Sequence, residues 1–227
     1  MGILKNNNVY NQKIVIESLK NGKTQEQKSV IDFFLAERGC LSESTMNLAE
    51  YQTLIANRLS RLKLKERALA KIALDESEIE EIPPIIMNGY AFNDVSDDNN
   101  VWVRVEDGVA VASRYAVSFI FFSSTQIYTY TYKFDMSSDD TWETTQDFFY
   151  QDITCFLTQE RKVEQINKYL TGCFKQGEAA EKHVYVVNTL EIKAPNTSYS
   201  FSMHKNETLE QSIQAAKAML RERKFVK

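Results

Sequence analysis

Apolar residues recur with a helical period over the first 82 residues of the chain, and polar residues fill the positions between them. A first helix is expected to end at Asn21-Gly22, a common helix stop. Thr24 and Gln27 have the spacing of a capping box, which predicts a second helix over residues 25–38. We therefore predict a helical arm over residues 1–82, ended by the adjacent prolines Pro83 and Pro84.

A longer segment, from Glu43 to Leu74, contains neither glycine nor proline, and we expect one continuous helix there. Four of its apolar residues repeat at a spacing of seven, namely Leu48, Ile55, Leu62 and Leu69. The companion row is partly polar, whereas a coiled coil needs two apolar rows. Packing of this helix on its own protein is therefore favoured. The alternative is an assembly helix that pairs with another chain and makes a homo-oligomer.

After Pro84 the apolar period changes from 3.6 to 2, which is typical of β-strands. The predicted strands cover residues 101–106, 109–113, 115–121, 127–135, 144–159, 184–192 and 199–203. In residues 160–176 the spacing of Val163, Ile166 and Leu170 suits a helix but Gly172 breaks it, so an insertion or excursion is expected there. A last helix, over about residues 206–224, carries the apolar stripe Leu209, Ile213, Ala216 and Leu220 behind a capping box at Thr208 and Gln211.

These elements predict an α+β fold in which the helical arm precedes an antiparallel β-barrel or sandwich over residues 83–227. An apolar helix face at the end of the chain can cover the open end of a bent sheet. The fold class is therefore a β domain capped by its C-terminal helix.

Several segments of the β domain carry a resemblance to a known group. The segments are Ser113-Arg114-Tyr115, QIYTYTYKF, FFYQDIT and AAKAMLRERK. They resemble uncharacterised bacterial proteins with a pleckstrin-homology-like domain, in which a Tyr-x-Asp-Ile/Val strand and a K-x-L-L-R-E-K-K helix recur. Here Phe149–Ile153 and Lys217–Lys224 correspond to those motifs. The resemblance spans residues 84–227, implies a pleckstrin-homology-like fold and implies no reaction.

The amino-acid composition argues against several classes of function. The net charge of −4 does not provide a broad basic surface, so no nucleic-acid partner is expected. With only 7 glycines, the chain contains no glycine-rich nucleotide loop, and no cofactor or metal site is predicted. The three cysteines, Cys40, Cys155 and Cys173, are far apart and fit reduced thiols in the cytoplasm. No familiar set of catalytic residues is present, so we do not expect an enzyme.

Two groups in the strands are candidates for ligand contacts. Tyr128, Tyr130 and Tyr132 share one strand face, where they form either a binding platform or, as we favour, part of the core. Asp152 is expected to lie half-buried in a strand and to need a partner such as Arg114 or a backbone N–H. A structural hydrogen bond is favoured for Asp152 over a ligand contact.

The last helix carries a group of cations that could meet an anionic surface: Lys217, Arg221, Arg223 and Lys224. Each cation near a charged membrane contributes about 1 kcal/mol to binding. Three nearby glutamates dilute this charge, and a solvated helix face is the simpler interpretation.

The preferred hypothesis is a non-catalytic protein-binding or scaffolding module. The alternative is peripheral attachment to anionic lipid through the last helix, and an enzyme built on Asp152, Arg114 and the tyrosines ranks lowest.

Overall fold

The computed structural model describes residues 9–35, 46–73, 83–92, 101–106, 108–171 and 177–225, which form five α-helices and antiparallel sheets. The helices are α1 (Val9–Lys20), α2 (Gln25–Leu35), α3 (Leu48–Arg61), α4 (Leu64–Ile72) and α5 (Glu207–Phe225). The strands are β1 (Ile85–Tyr90), β2 (Val103–Glu106), β3 (Val109–Ala112), β4 (Arg114–Phe122), β5 (Gln126–Asp135), β6 (Thr141–Phe149), β7 (Cys155–Thr171), β8 (Gly177–Ala194) and β9 (Thr197–Ser202). The fold class is α+β, and none of the sheets closes into a barrel within the described residues.

The main sheet has four strands in the order β1-β4-β5-β6, and β4 lies inside it. All nine residues of β4 are buried. Its sequence, RYAVSFIFF, is almost continuously apolar, which is typical of a strand covered on both faces. Both faces of the sheet are therefore packed against other elements at β4.

The helical arm covers one face of the main sheet. Side chains from α2, α3 and α4 share a core cluster with β4 and β5, and buried members include Phe33, Tyr51, Ala68, Phe121 and Tyr130. The hydroxyl of Tyr51 donates a 2.6 Å hydrogen bond to the carbonyl oxygen of Ala112. The arm is thus one layer of the fold.

The opposite face of the main sheet packs against a second layer, made of the sheet β7-β8-β9 and helix α5. Ile120 and Ile127 from the main sheet meet Leu190 and Ile192 from β8 and Ile213 from α5 in a second core cluster. The hairpin β2-β3 forms a separate two-stranded sheet whose Val105 packs against Tyr185 and Val187 of β8.

The continuous helix expected from Glu43 to Leu74 is wrong, because the helix is broken into α3 and α4. Leu62 between them has extended backbone angles, with φ −94° and ψ 112°. No glycine or proline marks this break. It redirects the chain so that Leu64 and Ala68 of α4 reach the core already contacted by α3.

The single strand predicted over residues 144–159 is also wrong. Strand β6 ends at Phe149, Tyr150–Asp152 form one turn of 3₁₀ helix, and β7 begins at Cys155 in a different sheet. Residues 155–171 form one long strand paired with β8, from Cys155 opposite Lys193 to Thr171 opposite Gly177. The excursion predicted over residues 160–176 is therefore corrected to a strand as far as Thr171, and 172–176 lie outside the described residues.

One of the two predicted capping boxes is present in the structure. The capping box of Thr24 and Gln27 is confirmed, with bonds of 2.9 and 3.2 Å between backbone and side chain. The second box is wrong, because Asn206 rather than Thr208 caps α5 by accepting from the Leu209 N–H. Strand β1 was not predicted at all.

Candidate binding groove

The tyrosine row of β5 lies beneath the helical arm. Tyr130 is fully buried, Tyr132 is almost so, and Tyr128 packs partly buried against the same cluster. The guanidinium of Arg67 in α4 lies 5.0 Å from the centre of the Tyr132 ring. In the folded chain these rings are covered by the arm and do not form an open platform.

Arg114 and Asp152 do not meet. Arg114 is buried, lies 3.7 Å from the carboxylate of Asp135 and stacks 4.3 Å from the ring centre of Trp142. The Asp135 carboxylate also accepts hydrogen bonds from the backbone and hydroxyl of Ser137, at 2.8 and 2.6 Å. Asp152 is exposed, because the chain leaves the main sheet at Tyr150. The predicted half-buried strand position of Asp152, paired with Arg114, is therefore wrong.

The heptad residues of the arm contribute to the chain's own core. Ile55 is buried in the cluster beneath the arm, and Leu48, Leu62 and Leu69 pack against that cluster while partly exposed. The apolar row is thus occupied by contacts within one chain.

The basic residues of α5 divide into two groups. Arg223 donates hydrogen bonds of 2.8 and 2.6 Å to the carbonyl oxygens of Ser123 and Ser124, and it stacks 5.0 Å from the ring centre of Tyr150. Lys217 and Arg221 line a groove instead. The backbone of Lys224 belongs to α5, but its side chain lies outside the described residues.

The groove runs between α5 and the chain that links the two sheets, and its volume is about 300 Å³. Its apolar walls are Tyr150, Ile153, Phe156 and Leu220, and the remaining lining residues are Thr154, Cys155, Lys217 and Arg221. The thiol of Cys155 is free and half-buried. Cys40 and Cys173 lie outside the described residues.

Hydrogen bonds hold the strand side of the groove in place. The hydroxyl of Tyr150 donates to the Ser123 carbonyl oxygen at 2.7 Å, which is the same oxygen that Arg223 contacts. The N–H of Thr154 donates to the Lys193 carbonyl oxygen at 2.8 Å. The apolar stripe of α5 fixes the helix from below through Ile213 and Ala216. The groove is therefore formed before any ligand arrives.

The charges at the groove are positive and uncompensated. Within the described part of the chain, neither Lys217 nor Arg221 forms an ion pair or a hydrogen bond through its side chain. Both lie in the C-terminal half of α5. An apolar trough with two cations beside it is complementary to a ligand that combines an apolar part with a carboxylate or phosphate.

The sequence did not indicate the walls Ile153 and Phe156, because residues 144–159 read as one uninterrupted strand. The signal that could have located the groove is Leu220, an apolar residue next to the two cations on the predicted helix. The opposite wall comes from residues about sixty positions earlier, which only the fold brings there.

The described residues include no group of three or more His, Cys, Asp or Glu side chains that could hold a metal ion. Among the described helices, none has both the length and the apolar character needed to cross a membrane. The sequence matches no family model, no curated protein and no solved structure.

Proposed function

We propose that this chain is a non-catalytic protein-binding module that holds an acidic, apolar segment of its partner in the groove beside α5. The observation that carries the proposal is the pair Lys217 and Arg221, uncompensated by any described acidic group, beside a preformed apolar trough. A partner segment with one or two apolar side chains fits a volume of about 300 Å³, and a neighbouring carboxylate would meet the cations.

A pleckstrin-homology-like architecture for residues 83–227 belongs to the same proposal, as does a cytoplasmic location. Consecutive antiparallel strands followed by one C-terminal helix with its apolar face buried support this architecture. A second feature is the covered end of the β layers, where Leu209, Ile213 and Met219 are buried. The helical arm is an additional layer, and its role in the proposal is to stabilise the main sheet.

Selection from a random library of displayed short peptides, using the full chain as bait, tests the proposed function. We expect the selected peptides to combine apolar residues with Asp or Glu. The double variant K217E/R221E should no longer enrich them. A matched control is K162E, which reverses an exposed cation on β7 away from the groove. Enrichment that persists in the double variant, or a selection without acidic residues, would contradict the proposal.

Anionic lipid is the second candidate ligand, because the same two cations could contact a headgroup while an acyl chain enters the trough. This candidate loses support from Arg223, whose guanidinium contacts Ser123 and Ser124 of its own chain. Co-flotation of the full chain with phosphatidylglycerol vesicles at low salt, reversed by K217E/R221E, would favour lipid. If the chain does not float with the vesicles but does select acidic peptides, the protein partner is favoured.

A further inference from the structure

Strand β6 forms the far edge of the main sheet. Among the described strands it pairs with β5 alone, and their nine residue pairs run from Gln126 opposite Phe149 to Phe134 opposite Thr141 without a bulge. Apart from Phe148, no residue of β6 is buried. This edge therefore has a long, regular and accessible backbone.

Hydrogen bonding alternates along an antiparallel strand, so every second residue of β6 directs its backbone groups away from β5. The carbonyl oxygen of Asp140 accepts from the Asp135 N–H, and that of Gln146 accepts from the Thr129 hydroxyl, each at 3.1 Å. The even-numbered residues thus face β5. Consequently the backbone N–H and C=O groups of Glu143, Thr145 and Asp147 point away from β5.

Natural proteins usually block such an edge with charged side chains, above all lysine, or with proline, bulges or a covering segment. The nine residues of β6, TWETTQDFF, include neither lysine nor proline. Two other edge strands, β1 and β7, differ. At β1, the His204 N–H donates a 2.8 Å bond to the Asn88 carbonyl oxygen, and β7 carries the exposed charges Glu160, Arg161 and Lys162. Strand β6 thus combines nine regularly paired residues with the absence of lysine, proline and a bulge, and its charges, Glu143 and Asp147, are both acidic.

The side chains beside this edge indicate the chemistry of what would pair with it. On the face that carries Tyr132 and Tyr128 in β5, β6 contributes Glu143 and Asp147. Glu143 is already ion-paired with Arg67 and Lys71, whereas Asp147 has no partner within the described residues. The opposite face begins at Trp142, whose side chain is 40% exposed. An incoming strand would therefore meet acidic groups on one face and an aromatic ring on the other.

A cavity of about 390 Å³ at the C-terminal end of β6 adds to this pattern. Its lining includes Asp147, the exposed Asp152, Phe149 and Pro195. A long basic side chain entering from a paired strand could place its stem on the apolar lining and its charge between the two carboxylates.

We propose that β6 binds an extended segment of a partner protein by strand addition, and that this segment alternates basic residues with apolar or β-branched ones. The site is separate from the groove beside α5, since the two share no lining residue. A second copy of this chain is a poorer occupant. Symmetric antiparallel pairing of β6 about Thr145 would set Glu143 opposite Asp147 of the second copy, and like charges directly opposite each other are destabilising.

The test uses the full chain and a fluorescently labelled, terminally blocked peptide of alternating lysine and valine that matches the nine residues of β6. A peptide of alternating glutamate and valine is the control probe. We expect binding of the lysine peptide alone, with new hydrogen-exchange protection at Glu143, Thr145 and Asp147. Equal binding of both peptides, or protection confined to other strands, would overturn the proposal.

Two variants separate backbone pairing from charge. T145P removes an outward N–H, and D147K/D152K reverses the charge at the end of the strand without altering the backbone. Each should weaken binding of the lysine peptide by about tenfold or more. The groove variant K217E/R221E should bind it as the parent does, so failure here is distinct from failure of the proposed function. Self-association of the parent chain that T145P abolishes would assign the edge to a second copy and overturn the basic partner.

Discussion

The hydroxyl of Tyr51 in the helical arm donates a 2.6 Å hydrogen bond to the backbone carbonyl oxygen of Ala112 in strand β3. Tyr51 is fully buried, and its ring stacks on Phe33 at 4.9 Å between centres. The bond thus joins an arm helix to the β layers in the interior of the protein. The arm should therefore contribute to the stability of the whole fold.

Removal of the Tyr51 hydroxyl should lower the free energy of unfolding. Y51F leaves the carbonyl of Ala112 without this donor in a buried site, and we expect a loss of about 1–2 kcal/mol. Y199F is the matched control, because the Tyr199 hydroxyl has no hydrogen-bond partner among the described residues. Urea denaturation measures both. Equal small effects would show that the bond to Ala112 contributes nothing.

Stability should also fall at alkaline pH. Burial raises the pKa of Tyr51 well above its usual value, raises the pKa of Tyr90 to about 12, and raises the pKa of Tyr115 as well. Above about pH 10 these tyrosines lose protons in the unfolded chain but keep them in the folded chain, so the folded state binds more protons. The free energy of unfolding should therefore decrease as pH rises from about 10 towards 12. Denaturation at a series of pH values measures the slope, which Y51F should reduce, and a slope unchanged in Y51F would contradict the assignment.

The heptad residues of the arm should matter for folding and not for assembly. I55A removes a buried side chain from the core beneath the arm and should cost about 2–4 kcal/mol of stability. N57A, at an exposed position of the same helix, should change stability by less than about 0.5 kcal/mol. Light scattering should give the same mass for the parent chain and for I55A at a temperature where both are folded. A dimeric parent and a monomeric I55A would instead support an assembly helix.

Arg223 should stabilise the fold, whereas Arg221, two positions away on α5, should not. R223A removes donors from the carbonyl oxygens of Ser123 and Ser124 and a cation from the Tyr150 ring, which should destabilise the fold by about 1–3 kcal/mol. R221A should leave stability within about 0.5 kcal/mol, because the exposed guanidinium makes no such contact. Thermal denaturation of the two variants decides between these roles. Equal destabilisation would mean that Arg221 is also structural.

A methyl group at Gly89 should destabilise the fold. It lies in β1, where an added Cβ would come 3.2 Å from the backbone nitrogen of Met203 and 3.3 Å from its carbonyl carbon. G89A should therefore push the chain after β9 away from β1 and cost about 1–3 kcal/mol. The control is M87L, a volume-conserving change at a buried position of the same strand, with an expected cost below about 1.5 kcal/mol. Unfolding measurements that rank M87L as the more harmful change would contradict the close approach.

The parts of the fold that the sequence predicted are those with a sustained period. Alternation from Ile127 to Phe134 located β5, and the stripe Leu209, Ile213 and Ala216 located the buried face of α5. The breaks at Leu62 and Tyr150 escaped prediction because neither has a glycine or proline. At Tyr150 apolar residues stand on both sides of the short turn, and only the pairing partners reveal a change of sheet.

The candidate site was predictable from the sequence only in part. Lys217 and Arg221 were identifiable as cations on a helix face, but their relation to Ile153 and Phe156 depends on packing between distant segments. Arg223 donates hydrogen bonds to Ser123 and Ser124, which lie about a hundred positions earlier in the sequence. A sequence pattern specifies which side chains share a face, and packing decides which of them remain available.

A peptide selected on the parent chain shows whether the groove beside α5 is the binding site, when its affinity is compared for the parent, K217E/R221E and K162E. We expect K217E/R221E to weaken binding by about tenfold or more, which corresponds to about 1.4 kcal/mol, while K162E binds as the parent does. Titration calorimetry at physiological salt measures all three. Equal affinity of the parent and K217E/R221E would show that the groove beside α5 is not the binding site.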